Sequence, residues 1–333
     1  LVTTESPSLG RRNLIINGSL VHDQRNSGSE TIPAGDTYTL DRFRYNASQA
    51  SKFKVQQNAQ AITPPEGFSK YLGVTVNATH TVASTDNFFL TYFVEGYDSA
   101  QLDFGKATAK TVTLSFYVQS SLTGTFSGSI LNSAENRSYP YTYTISSADT
   151  WERKTITIAG DTSGTWIGAT NGKGLMLTFS LGMGSNFTGT AGQWNAAQDF
   201  AATGETVKLV ENASAEWKIT GVQLEVGSVA TPFEHRSYGE EEMLCRRYCQ
   251  LITRSASAGD VEDNRLYGAT YAGTASFINQ LFVPPMRAEP DVTYSEVSSG
   301  NISEVFMSSQ IFSLYDNGQN NIRIYDAIAE AEL

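Results

Sequence analysis

Charged side chains are scarce in this chain: 17% of its 333 residues are Asp, Glu, Lys or Arg, against about a quarter in ordinary globular proteins. The surface must therefore be largely Ser, Thr, Asn and Gln, a type that suits extracellular or particle-borne β proteins and binds sugars well. The net charge of −11 disfavours attraction to nucleic acid or to an anionic membrane. No basic run is longer than Arg246-Arg247. No apolar run approaches the ~20 residues of a membrane-spanning helix, so no membrane insertion is expected. Histidine is rare, and His22, His80 and His235 stand far apart in sequence. G-x-S-x-G, H-E-x-x-H and a Gly-rich phosphate loop are all missing, so no catalytic residues are assigned. Asp86, Glu95, Asp98 and Asp103 are four of 34 acidic residues and do not make a glycosidase pair by themselves. There are only two cysteines, Cys245 and Cys249. At helical spacing their Cβ atoms would lie about 5–6 Å apart, beyond the ~3.8 Å of a disulfide, so they read as reduced and structural. The alternative, half of a metal site with His235 nearby, lacks its remaining ligands, and no metal or cofactor is expected. The start at Leu1, without an initiator Met, reads as a processed or truncated N-terminus.

What the chain does have suits β structure. It is 40% hydrophobic, with 28 Gly, 16 Tyr and 17 Phe, enough for a buried core and many turns. Strands are predicted at 13–20, at 38–45 around a bulge, and at 52–56, 71–76, 87–94, 111–119, 126–131, 139–145, 151–158, 175–181, 208–210 and 217–226. Thr111 to Gln119 carries Val112, Leu114, Phe116 and Val118 at every second position, the pattern of a half-buried sandwich strand. About ten strands without intervening helices imply an antiparallel jelly roll of two sheets around one core. Residues 182–206 hold a long polar stretch that reads either as a functional loop or as a covering flap.

A helix is predicted next, over 236–252. Ser237 and Glu240 have the spacing of a capping box, Glu240, Glu241 and Glu242 suit its N-terminus, and Arg246 and Arg247 suit its other end. Met243, Leu244, Tyr248, Leu251 and Ile252 give it an apolar face about 16 residues long. That face packs either on its own chain or against copies of itself in a trimer; no heptad supports a long coiled coil. The expected organisation is an extended arm at 1–12, a jelly-roll sandwich at 13–235, a linking helix at 236–252 and a small antiparallel β domain at 253–333. The fold class is thus mainly β: a jelly-roll β-sandwich, one short α-helix, and a smaller antiparallel β domain.

Sugar recognition needs an exposed aromatic platform with polar partners. Trp166 and Trp194 lie in Gly- and Asn-rich stretches and are the candidates for a glycan-binding site; the competing reading is that they anchor loops on the sandwich. Trp151 and Trp217 sit on alternating strands and read as core. Seven Asn-x-Ser/Thr sequons are present, which a chain so rich in these residues produces by chance.

The segment ITGVQLEVG with ATPFEHRSYGEE and the CRRYCQ helix resembles a module of bacteriophage tail-fibre and minor virion proteins. RRNLIINGSLVHDQRN and TLDRF are similar to its start, GTWIGATNGKGLMLTFSLGMGS to its middle, and VPPMRAEPDVT with the terminal AEAEL to its C-terminal part. Residues 13–235 also resemble the jelly rolls of carbohydrate-binding modules. In many of those the opening and closing strands hold a structural calcium; here Thr220 and Gly221 stand in place of the Asp pair and Val21 in place of an acidic residue, which speaks against calcium there. The resemblance implies a non-enzymatic virion fibre or appendage protein, on tail or head. It would be a homotrimer on the particle surface, assembled with other virion proteins and touching host surface polysaccharide. A structural decoration or adaptor protein without a ligand is the alternative, and a polysaccharide depolymerase a third reading.

Overall fold

The structure is a computed structural model that describes residues 11–253, 266–267, 269–271, 275–296, 304–316 and 323–333. The expected N-terminal arm therefore falls, up to residue 10, outside the described residues. The chain divides into two compact units, Leu1–Arg236 with Leu333, and Ser237–Glu332.

The first unit is an antiparallel jelly-roll sandwich. Its strands are β1 (Thr37–Leu40), β2 (Phe43–Ala47), β3 (Phe53–Gln57), β4 (Leu72–Val76), β5 (Asn87–Glu95), β6 (Val112–Ser120), β7 (Gly124–Leu131), β8 (Ser138–Ile145), β9 (Glu152–Ile158), β10 (Lys173–Met183), the two-residue β11 (Thr188–Gly189) and β12 (Ala201–Ala202), and β13 (Glu216–Val226). One sheet has the order β1-β2-β5-β10-β7-β8 and the other β3-β4-β13-β6-β9. The chain crosses between the sheets repeatedly, after β2, β4, β5, β6, β8, β9 and β10, so the six-stranded sheet is complete only at β10 and the five-stranded sheet only when β13 arrives. The core lies between the sheets, and the period-two pattern fills it: Val112, Leu114, Phe116 and Val118 of β6 all point inward. Trp217 on β13 is fully buried; its indole N–H donates to the Tyr143 hydroxyl at 3.1 Å, which satisfies the one polar atom of the ring inside an apolar layer.

Three expectations are corrected here. Residues 13–20 form no strand; the segment lies on β13 through separate backbone bonds, Leu14 N–H to Leu224 O at 2.9 Å and Val222 N–H to Gly18 O at 2.9 Å. The reason is the register shift in the β13–β6 ladder between Thr220 and Gln223, which frees Val222 to bond sideways. The single strand read at 38–45 is a hairpin that turns at Asp41-Arg42, with Arg42 at φ 71°, and its expected irregularity falls between Tyr38 and Leu40. Residues 209–211 form a 3-10 turn rather than a strand. The stretch 182–206 is a flap: Phe200 stacks on Phe89 at 5.0 Å, and Thr178 on β10 donates its hydroxyl to Phe200 O at 2.7 Å. It covers the outer face of the six-stranded sheet. The outer face of the five-stranded sheet is covered in turn by Phe68, which packs on Tyr117 at 5.4 Å, and by Phe233 on Phe68 at 5.0 Å. Arg153 on β9 binds Thr231 O at 2.8 Å and Thr157 binds Ser228 O at 3.1 Å, so residues 228–233 are strapped down.

The second unit begins with a helix that is shorter than expected, running Tyr238–Arg246 rather than 236–252. Its cap is the expected one: the Ser237 hydroxyl accepts from the Glu240 N–H at 3.3 Å. After Arg246 the chain becomes a strand, Cys249–Leu251, in register with Glu330–Ile328. Helical propensity is a weak preference, and a ready ladder partner overrides it. The five apolar residues consequently share no helical face. Met243 is exposed and Tyr248 fully buried, Leu244 and Leu251 are half-buried, and Ile252 packs on a small core of Ile278, Phe312, Leu314 and Ile324. Cys245 and Cys249 are buried and are not joined in a disulfide. The unit's described sheets are antiparallel.

Candidate functional site

The loop joining β5 to β6 supplies the ridge of the candidate site. It starts as a short helix, Gly96–Ser99, and continues as a 3-10 turn, Ala100–Leu102. Gly96 is required at its start, because a Cβ there would sit 2.6 Å from Thr170 O. Gly96 N–H donates to Gly172 O at 2.8 Å, and the Ser99 hydroxyl reaches Ile167 O at 3.0 Å. The ridge is thus bolted to the loop before β10. Asp103 turns left-handed, φ 53°, and sends Phe104 into the sandwich.

Phe104 is the base of an aromatic cluster. Trp166 meets it edge-on at 4.9 Å and Trp194 at 5.7 Å. The two indoles stand at 5.5 Å and 84° to each other, and Tyr139 backs Trp194 at 5.2 Å. Edge-to-face pairs at these separations are favourable beyond the area they bury. Both indole N–H groups are used by the protein: Trp166 donates to Ser163 O at 3.1 Å and Trp194 to Ala159 O at 2.7 Å. The loop holding Trp166 is fixed by a two-pronged ion pair, Arg137 to Asp161 at 2.8 and 2.7 Å. Hydrogen bonding to Asp161 raises the Arg137 pKa above its ordinary value.

A cleft of about 250 Å³ opens beside this cluster, with Trp166, Phe104, Asp103, Lys106 and the chain at 167–169 around it and the ridge along one side. Lys106 and Asp103 form an exposed pair at 2.9 Å, and the hydrogen bond from Lys106 holds the Asp103 carboxyl below its usual range. The two sequence candidates are therefore brought together, but in different places: Trp166 lines the cleft, and Trp194 stands behind it. Sequence reasoning missed Phe104 and the ridge; the 16-residue gap between β5 and β6 was the available signal. The apolar residues proposed for assembly belong to the second unit.

Two other constellations have no counterpart in the sequence reading. His80, isolated in sequence, meets Asp86 at 2.8 Å, and the same carboxylate accepts from the Ser48 hydroxyl at 2.9 Å. Here the carboxylate sits between hydroxyl and imidazole, so the imidazole does not reach the hydroxyl as a general base must. Burial works against ionisation of Asp86, but its bonds from His80, Ala83 N–H, Ser48 and Gln49 prevail and bring it to about 2. Glu205 is the reverse case. Its carboxylate is shut off from water although its stem is half-exposed. Desolvation pushes it up to about 8 despite the Ser180 hydroxyl bonding it at 2.7 Å.

The place of the calcium site is filled differently. Thr220 donates to Lys70 O at 2.7 Å, and Gly221, at φ +62°, leaves room for the Phe68 ring, which a Cβ would meet at 2.6 Å. Together with Val21 these residues offer one hydroxyl and no carboxylate, a poor set for a hard cation. Among the described residues no three His, Cys, Asp or Glu side chains gather as a metal-binding group.

No protein-family model and no curated relative matches the sequence. Among solved structures, the enzymatically active domain of tailspike protein 4 of bacteriophage CBA120 overlaps at a TM-score of 0.32 with 11% identity, covering 65% of this chain and 22% of that one. A putative sugar binding protein from Bacteroides thetaiotaomicron overlaps at 0.35 with 13% identity, covering 65% and 100%. The module TmCBM61, in complex with β-1,4-galactotriose, overlaps at 0.34 with 11% identity, covering 65% and 100%. This chain thus spans about a fifth of the tailspike's length and the whole of the two smaller proteins. Overlaps this loose carry no function across.

Proposed function

We propose that the chain is a non-enzymatic glycan-binding protein of a bacteriophage particle, an appendage subunit on tail or head. The observation that carries the binding role is the cleft beside Trp166. It joins an aromatic wall, which suits the C–H face of a sugar ring, to the Asp103 and Lys106 polar groups, which suit its hydroxyls. Aromatic area with a few fixed polar groups is the usual make-up of a small-ligand site. The cleft offers one carboxylate, Asp103, where glycoside hydrolysis takes two; binding is therefore the better reading than cleavage. The virion setting rests on the sequence likeness at 219–250 and the trimer on the same likeness; a light-scattering mass of a single subunit would sink the trimer.

The test is binding of the labelled full chain to intact bacterial cells before and after periodate oxidation of their surface sugars. Saturable binding that periodate removes and Trp166→Ala weakens is expected. Binding indifferent to periodate would refute the glycan reading, and release of reducing ends by the purified protein would restore the depolymerase reading.

A further inference from the structure

The ridge at 96–102 has two sides, and both border clefts. Ser99, Ala100 and Leu102 face the one already described. Tyr97, Asp98 and Gln101 face a second, of about 240 Å³, completed by Arg11 and Asn13. Tyr97 and Gln101 line the second cleft together, whereas Ala100 and Asp103 line the first. The two clefts are alike in size and share two features, although the second is the more polar. Each has one accessible aromatic ring, Trp166 in the first and Tyr97, 60% exposed, in the second. Each pairs its lining cation with its lining carboxylate: Lys106 with Asp103 at 2.9 Å, Arg11 with Asp98 at 3.5 Å.

The ridge between them is rigid. A Cβ on Gly174 would lie 2.0 Å from the Ser99 hydroxyl, and one on Gly168 would lie 3.3 Å from Ala100 Cα, so the helix is seated on the 167–174 segment with little clearance. A ligand reaching from one cleft to the other has to cross a fixed crest, which favours a long chain with a repeated unit over a compact molecule.

Building on the glycan-binding reading, we infer that the two clefts are subsites of one groove for the interior of an extended, uncharged polysaccharide, with Tyr97 as the second aromatic platform. An acidic sugar would have to break an ion pair and leave its carboxylate facing its own, on a protein of net charge −11.

The test uses the full chain, Trp166→Ala and Tyr97→Ala on immobilised neutral polysaccharides (dextran, galactan, mannan, mixed-linkage glucan) and acidic ones (polygalacturonate, hyaluronate, polysialic acid). Size-graded fragments of whichever neutral polymer binds are then titrated. Tyr97 is exposed, so its loss leaves the melting curve in place, and this is checked first. Expected is a loss of roughly tenfold in affinity for long chains on Tyr97→Ala, with less than about twofold on the shortest fragment that still needs Trp166. A Tyr97→Ala protein equal to wild type at every length, with Trp166→Ala impaired, overturns the two-cleft groove and leaves the single glycan site standing. Preference for the acidic polymers overturns the uncharged-ligand inference. No binding of the full chain to any member of either set overturns the groove and the glycan reading together.

Discussion

Glu205→Gln should make the sandwich more stable at alkaline pH and leave it unchanged at acid pH. The carboxyl titrates near 8 in the folded chain instead of its ordinary 4.5. As pH rises, the unfolded chain gives up this proton first, while the folded chain keeps it until about pH 8. The contribution of the group to stability is therefore complete below about pH 4.5 and falls steadily as pH rises through 8. Each pH unit in that window costs about 1.36 kcal/mol, so the full loss approaches ~5 kcal/mol, an upper bound that local opening of the turn at 203–207 will reduce. Glutamine keeps the shape and an acceptor for the Ser180 hydroxyl but has nothing to titrate. The assay is urea unfolding followed by tryptophan fluorescence at pH 5, 7 and 8.5. All four tryptophans, Trp151, Trp166, Trp194 and Trp217, lie in the first unit, so the signal reports the sandwich alone. The wild type should lose several kcal/mol across this range relative to the variant, with a gap under about 1 kcal/mol at pH 5. Two curves that stay parallel from pH 5 to 8.5 would refute the reasoning, because they would mean that Glu205 ionises like any surface carboxyl.

Three further outcomes follow from the same geometry. Gly18→Ala places a Cβ 2.2 Å from Val222 O, a backbone atom that cannot step aside, and should lower sandwich stability by about 2 kcal/mol in the same unfolding assay. Asp86→Asn should be less stable than wild type at pH 6. Asp86 is held down to about 2, so its contribution is present above its ordinary 3.8 and fades as pH falls through 2; a gap of constant size from pH 6 to 2 would contradict this. Trp194→Ala should weaken glycan binding although Trp194 does not line the cleft, because Trp166 loses its edge-on partner, and Trp194→Phe should recover most of the loss.

What could be read from the sequence were the features set by local periodicity. The alternation of Val112, Leu114, Phe116 and Val118 marks β6 without ambiguity, since side chains on a strand repeat every second residue; that its polar face is covered as well, by Phe68 on Tyr117, was not legible. The cap at Ser237 was also legible, because capping depends on residues three apart. The features missed depend on distant partners. Nothing near Cys249 says that the backbone of Glu330 is waiting to form a ladder with it, so the helix was drawn too long. Nothing near Leu14 reveals the shifted register of β13 that lets residues 13–18 dock without becoming a strand. The candidate site divides in the same way. Trp166 and Trp194 stood out by their Gly- and Asn-rich surroundings, but their meeting on Phe104, and the separation of a lining from a backing role, arise only when the segments after β5, β9 and β10 converge.

The coverage of the two sheets explains why that convergence matters. A sandwich has two outer faces on which a ligand could lie flat, and here the protein occupies both. Phe200 and its flap close the face of the six-stranded sheet, and Phe68, Phe233 and the strapped segment 228–233 cover that of the five-stranded sheet. Serine and threonine on the outer side of β10 are spent on the flap, as the bond from Thr178 to Phe200 O shows. A sugar chain is then left with the loop end, where the chain leaves β5 and β9 and enters β6 and β10. Loops tolerate variation that strands do not, so a recognition site at this end can change specificity without disturbing the core that carries it. That is a useful arrangement for a protein whose proposed task is to follow the surface chemistry of a changing host.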